Sequence, residues 1–227
     1  IKKYNNQTSI YIKGKQELHS NNINVPSDLS SSAFFIIATL INKGSKINLN
    51  NININPSRDG ILKALKKMGA KINIKNQRTV SGEIVADLDV EYSNLVGCEL
   101  DAEMAKFMID EYPILSIAAA FAKGTSVFRG LKELRVKESD RLELIRLNLV
   151  NCGCNCEVKN DNLIIKPSET YIPKNNKIRT DFDHRIAMSF AVMGSKVGKL
   201  IIEDAESINT SFPNFIEKFN TAGGNIL

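Results

Sequence analysis

A pattern that recurs three times along the chain decides what it can fold into. Asp28, Asp110 and Asp183 each stand ahead of an apolar, alanine-bearing helical run, at 32–41, 114–122 and 186–193, and Gly44, Gly124 and Gly198 break those runs. Sixteen residues separate Asp28 from Gly44, fourteen separate Asp110 from Gly124, and fifteen separate Asp183 from Gly198. A β-rich stretch follows in every copy, at 45–49, 125–128 and 199–202, with the alternating or continuous β-branched residues that mark strands. Next comes an amphipathic helix closed by a glycine: 59–68 with Gly69, 141–150 with Gly153, and 213–221 with Gly223. Glycine just past a helix is the usual C-terminal cap. A further strand is expected at 71–74, at 154–158 and, cut short by the terminus, at 225–227. Three α/β units therefore fill residues 27–227, with repeats over about 27–80, 103–167 and 181–227.

The two helices of each unit differ in kind. The first is apolar nearly all round, as in Ser116-Ile117-Ala118-Ala119-Ala120-Phe121-Ala122, so it belongs inside the domain. The second is amphipathic and should cover a sheet from the solvent side. Buried inner helices surrounded by sheets, an α/β (α+β) architecture, follow from that contrast. Residues 1–26 look different, with asparagine-rich turns, a strand-like run over 9–14 and a second extended run at 23–25 before Pro26. This piece is expected to be the last strands of, or a linker from, a preceding domain. A start at Ile1 without an initiator methionine, and a first strand with no helix to pack against, point to a fragment or a processed chain.

Composition narrows the function. Among 227 residues, 43% are hydrophobic, enough for a real core. The net charge of +5 is spread among nearly as many acids as bases, unlike the basic tract of a nucleic-acid surface, so any bound anion should be small. No apolar run approaches the roughly 20 residues that span a bilayer, and the polar start from Ile1 to Asn6 is not a signal peptide. Neither nucleic acid nor membrane is expected as a partner, and the chain reads as cytoplasmic. Cys152, Cys154 and Cys156 are too closely spaced for a usual structural zinc site and lack a second ligand pair nearby. With Val158 they alternate along a strand, so they read as buried thiols, and no metal is expected.

The densest charge cluster is Lys132-Glu133-Leu134-Arg135-Val136-Lys137-Glu138-Ser139-Asp140-Arg141, between a strand and the outer helix of the second unit. It can be a solvated loop capped by Ser139 or Asp140. It can also be an anion site, because Lys137 and Arg141 lie four apart, share a face if one helical turn holds both, and meet the positive end of the helix dipole. Glu138 among these cations should be ionised and close to any anion they bind. Asp183-His184-Arg185 opens the third inner helix, either as a cap with exposed neighbours or as part of a rim. If the units superpose, Asp110 and Asp183 occupy one station, and all inner-helix N-termini converge on one anion-binding face.

Several segments, in order and spacing, resemble signatures of the 5-enolpyruvylshikimate-3-phosphate (EPSP) synthase family. They are 134–142, 183–190, Ile109-Asp110-Glu111-Tyr112-Pro113, 28–35 and Thr210-Ser211-Phe212-Pro213. Lys-Glu-Ser-Asp-Arg and Ile-Asp-Glu-Tyr-Pro look closer to the bacterial class II branch. The resemblance covers the whole chain and implies its C-terminal portion: one of two domains of three βαβαββ units, an inside-out α/β barrel whose helix N-termini face an interdomain cleft. It implies transfer of the enolpyruvyl group of phosphoenolpyruvate (PEP) to the 5-hydroxyl of shikimate 3-phosphate with release of phosphate, by a monomer, without metal or organic cofactor. By motif match, Asp110 resembles the aspartate that contacts the shikimate hydroxyls and accepts a proton. Glu138 resembles the glutamate that exchanges a proton with the PEP methylene carbon, and Lys137 the lysine beside the reacting hydroxyl. Arg141 and Arg185 resemble the arginines that grip PEP, with His184 next to them. Where some members place a PEP-contacting lysine near the Ser-Phe-Pro motif, this chain has Thr210. The family's lysine-serine pair, glycine-rich PEP loop and Ser-x-Gln phosphate contacts have no counterparts here, so the chain alone is expected to be inactive until an N-terminal domain completes the site. A sister transferase acting on UDP-N-acetylglucosamine, and a non-catalytic anion-binding domain of the same fold, are the alternatives.

Overall fold

Two short antiparallel strands, β1 (Lys2–Tyr4) and β2 (Gln7–Ser9), begin the computed structural model, which describes residues 2–4, 7–168, 171 and 175–227, with side chains from residue 9 onward. Ile1, Asn5 and Asn6, part of the stretch where asparagine-rich turns are expected, lie outside the described residues. Beyond Ser9 the strands expected over 9–14 and at 23–25 do not form. An extended segment needs a ladder partner for its backbone groups, and none of the described sheets offers one there. Ile10, Tyr11, Ile12, Leu18, Ile23 and Val25 stand in solvent.

The first unit comprises α1 (Leu29–Ile41), β3 (Lys46–Asn53), α2 (Gly60–Lys67), β4 (Lys71–Val80) and β5 (Glu83–Glu91). The second comprises β6 (Glu99–Leu100), α3 (Ala105–Met108), α4 (Tyr112–Ala120), β7 (Ser126–Phe128), α5 (Arg141–Asn151), β8 (Asn155–Lys159) and β9 (Asn162–Lys166). The third comprises β10 (Lys177–Ile178), α6 (His184–Val197), β11 (Ile201–Ile202) and α7 (Phe215–Thr221). Short 3₁₀ turns at Ala102–Met104, Ile109–Glu111, Lys132–Val136 and Ala205–Thr210 join these elements.

Sheet order reveals the repeat more plainly than the residues do. In the second unit the order is β6-β7-β9-β8, that is first, second, fourth, third, with β6 parallel to β7 and the rest antiparallel. The first unit repeats it: Ser27 bridges Ile52 of β3 in parallel, and β3-β5-β4 completes the order. The third shows only its first pair, β10 parallel to β11. The expected strand at 225–227 does not form. In the other units the third strand pairs only with the fourth, and residues 225–227 have no such neighbour; Asn220 instead ties them down by 2.8 Å hydrogen bonds to and from Ile226. The third unit therefore reads βαβα rather than βαβαββ. Unit limits also move outward: the first sheet runs on to Glu91, and the second and third open at Glu99 and Lys177, earlier than 103 and 181.

All three outer helices end alike. Gly69 donates to Lys66 O (3.0 Å) and Ala70 to Leu65 O (3.0 Å); Gly153 donates to Val150 O and Cys154 to Leu149 O; Gly223 donates to Asn220 O and Gly224 to Phe219 O. This paired closure needs a left-handed residue in the middle, and φ is 79°, 86° and 99° at the three glycines. Inside, α1, α4 and α6 pack on one another. Every residue of α4 is buried, from Tyr112 to Ala120, which is why its sequence has no polar face. Cys152, Cys154 and Cys156 are buried free thiols, as is Cys98. Burial pushes Cys152 up to about 11 and Cys154 up to about 12.

Candidate functional site

The N-termini of α1, α4 and α6 meet through side chains. Asp28 caps α1, its carboxylate accepting from Ser31 N at 2.8 Å, and Asp183 caps α6, accepting from Arg185 N at 2.9 Å. Between them Ser30 of α1 donates a short hydrogen bond to Glu111, and Arg185 of α6 reaches over α4 to donate to Asp110 O at 3.0 Å. The inner helices thus point their positive ends at one face, as expected of a rim.

Asp110 is not the station-mate of Asp183 that repeat spacing suggests. The cap position of α4 falls on Glu111, with Pro113 in the first turn, and Asp110 sits one residue back in the 3₁₀ turn. Released from capping, its carboxylate faces cations: Arg141 Nη1 at 3.0 Å and Lys137 Nζ at 3.5 Å. Burial pushes the Asp110 carboxyl up, but Arg185, Lys137 and Arg141 together outweigh it and hold the group below the ordinary carboxylate value. It is an ionised carboxylate at neutral pH.

Lys137 and Arg141 meet at that carboxylate for a different reason from the shared helical face. Lys137 ends the 3₁₀ turn with extended backbone (φ −82°, ψ −153°), and α5 starts only at Arg141, capped by Asp140, which accepts from Glu143 N at 3.0 Å. The loop between is braced by Arg135, which donates to Asp161 at 2.8 Å and to Asp140 at 3.0 Å. Arg135 therefore shapes the loop while Lys137 faces the rim. Lys137 is partly desolvated, which lowers its pKa, yet Glu133 (3.1 Å) and Asp110 raise it further than burial lowers it.

Arg141 is the hub. Its side chain is 0% exposed, and its nitrogens reach three carboxylates: Nε to Asp183 at 2.7 Å, Nη1 to Asp110 at 3.0 Å, and Nη2 in an ion pair with Glu138 that lacks hydrogen-bond geometry. Asp183, also 0% exposed, accepts a further bond from Ser139 at 2.9 Å. A buried guanidinium is tolerable only with such pairing. His184, the first residue of α6, is half-buried beside this network; burial, with Arg185 and Arg141, lowers its pKa against the opposing pull of Asp183 and Glu138. Its imidazole is therefore neutral near pH 7.

All six site residues read from the sequence thus fall within one neighbourhood, Asp110, Lys137, Glu138, Arg141 and Arg185 in direct polar contact. Its chemistry is that of an anion rim with two carboxylates, Asp110 and Glu138, embedded in the cations.

Comparison with known proteins shows the family. The family model described as EPSP synthase (3-phosphoshikimate 1-carboxyvinyltransferase) matches residues 1–219. The chain belongs to the EPSP synthase family. Relatives named 3-phosphoshikimate 1-carboxyvinyltransferase include one from Paramagnetospirillum magneticum, 46% identical over 219 residues, and one from Syntrophomonas wolfei, 42% identical over 217. These alignments cover 96% and 95% of this chain but 49% and 50% of the relatives, so the chain spans about half the length of the relatives it matches. An EPSP synthase structure from Acinetobacter baumannii superposes with a TM-score of 0.86 at 39% identity, covering 92% of this chain and 48% of that one. The enolpyruvyl transferase NikO from Streptomyces tendae, at 15% identity and a TM-score of 0.62, shares the fold. The architecture is the enolpyruvyl transferase fold.

Two members of this rim escape a sequence reading. Glu111, beside Asp110, is buried between Ser30 and Arg185 Nη1 (3.6 Å), and burial raises its pKa. Arg58, from the turn before α2, donates to Ser30 at 3.2 Å and so reaches the same edge. A charge in an otherwise apolar helix start was the available signal for Glu111; nothing local marks Arg58. Thr210, at the position where some family members carry lysine, spends its hydroxyl on Ser207 O at 2.7 Å. No helix among the described residues is long and apolar enough to cross a membrane.

Proposed function

We propose that this chain supplies one half of the site that transfers the enolpyruvyl group of PEP to the 5-hydroxyl of shikimate 3-phosphate, releasing phosphate. The observation that carries the reading is Asp110, an ionised carboxylate held between Lys137, Arg141 and the Arg185 end of α6. In this reading Asp110 contacts the shikimate hydroxyls and takes the proton of the 5-hydroxyl as it attacks C2 of PEP, with Lys137 beside the reacting oxygen. Glu138, carrying a proton taken up from solvent, passes it to C3 of PEP as the new C–O bond forms. The tetrahedral intermediate then expels phosphate, which leaves with the proton held by Asp110, and C3 returns a proton to Glu138. Arg141 and Arg185, with the neutral His184, hold PEP. A positioned acid or base typically contributes about 10² to 10⁴ in rate, and fixed cations around a developing anion often contribute more.

The chain is read as the C-terminal half of the enzyme. Residues 1–26 then lead out of the other domain, in keeping with the solvent-exposed Ile10, Tyr11, Ile12 and Leu18, and residues 27–227 form the half described above. The same reading makes the whole enzyme a monomer in the cytoplasm, in keeping with four unpaired cysteines. To test the function, the chain is mixed with the complementary half of the Paramagnetospirillum magneticum relative, and phosphate release is followed. Release that needs both PEP and shikimate 3-phosphate is expected. Turnover with UDP-N-acetylglucosamine in place of shikimate 3-phosphate would overturn the substrate assignment.

A further inference from the structure

The three carboxylates around Arg141 are not equivalent. Asp183 is fully buried and is fixed four ways, by Arg141 Nε, Ser139 and two backbone N–H groups of α6. Asp110 is shared with Lys137 and lies on the turn whose carbonyl binds Arg185. Glu138 is half-exposed, and its pairing with Arg141 Nη2 is its one polar contact among the described residues. That contact is also the poorest: Nη2 is a buried donor group with no hydrogen bond. A buried donor left without a good acceptor gains more from a well-placed anion than an exposed one does.

We propose that Glu138 is a replaceable ligand of Arg141, displaced from Nη2 by the carboxylate or phosphate of the incoming substrate. This rests on the reading of the rim as a PEP site and adds an order to it. One carboxylate leaves the guanidinium as another anion arrives, so Arg141 keeps its charge balance and the buried Asp183 and Asp110 bonds need not break. Glu138, released, is free to turn toward the bound substrate. The group that exchanges a proton thus becomes available only once an anion is seated, and the same residue that serves the chemistry competes with binding.

The consequence is unusual for a catalytic side chain: removing its charge should tighten binding. The test uses the chain itself, with Glu138→Gln and, as a control, Glu133→Gln, which strips an equal charge from neighbouring Lys137 while leaving Glu138 on Arg141. Both positions are at least half-exposed, so both variants should fold. Inorganic phosphate and PEP are titrated while the Arg141 Nε–H resonance is followed by NMR. Glu138→Gln is expected to bind both anions more tightly than wild type, by about tenfold more than any gain in Glu133→Gln, with the Arg141 signal moving in step. Equal gains in the two variants, or weaker binding by Glu138→Gln, would overturn the exchange while leaving the anion rim standing. If no form binds either anion, the rim reading falls and the exchange falls with it.

Discussion

Replacing Asp183 by asparagine isolates the charge that holds the hub. Asparagine caps a helix about as well as aspartate, so the bonds from Arg185 N and Ile186 N survive. What is lost is the carboxylate 2.7 Å from Arg141 Nε, in a pair where both side chains are 0% exposed. Breaking one partner of a buried pair costs about 3–5 kcal/mol, because the remaining charge is stranded. Arg141 keeps Asp110 and Glu138, so the low end, about 3 kcal/mol, is expected. Asp183→Ala removes the cap as well and should cost about 1 kcal/mol more. In urea, with a slope near 3 kcal/mol/M, the asparagine variant should lower the unfolding midpoint by about 1 M at unchanged slope. A midpoint within error of wild type would refute the claim that Asp183 neutralises Arg141.

Three further outcomes follow from packing. The thiols of Cys152, Cys154 and Cys156, pushed upward by burial, should resist iodoacetamide at pH 8 in the native chain and label fully in denaturant; rapid native labelling would contradict their packing. Burial raises the Glu111 carboxyl above its ordinary 4.5, so its stabilising contribution is complete below that value and fades as pH rises through the folded value. Unfolding curves should therefore show Glu111→Gln gaining on wild type as pH climbs above 4.5, and a constant difference across pH would count against it. Gly97→Ala would drive a methyl into the backbone carbonyls of Thr125 and Gly124 and should cost about 3 kcal/mol, the upper end for overpacking; a loss below 1 kcal/mol by thermal melting would show that the loop gives way.

Fold and site were legible in the sequence to different depths, and the reason lies in range. Local rules govern the outer-helix glycines and the apolar inner helices, so 59–68, 141–150 and 213–221 carry their structure within a few residues. Sheet pairing is not local. Residues 225–227 have strand-like neighbours in the repeat but no ladder partner, and 10–14 have a β-branched run but no sheet. In the site, residue types and neighbourhood were readable, while geometry was not. Arg141 joins Asp110 and Asp183, 31 and 42 positions away, and no spacing rule contains those contacts. The one-residue offset between Asp110 and Asp183 was equally hidden, because Glu111 rather than Asp110 takes the cap position of α4. That offset matters most, since it frees Asp110 to face the cations.

The most direct test of the account is phosphate release by the reconstituted halves with PEP and shikimate 3-phosphate, comparing the wild-type chain with Asp110→Ala and Glu138→Ala. A loss of at least about 10² in rate is expected for each variant, with the chain's fold intact by circular dichroism. Turnover that survives both substitutions would contradict the assignment of the two carboxylates and, with it, the site.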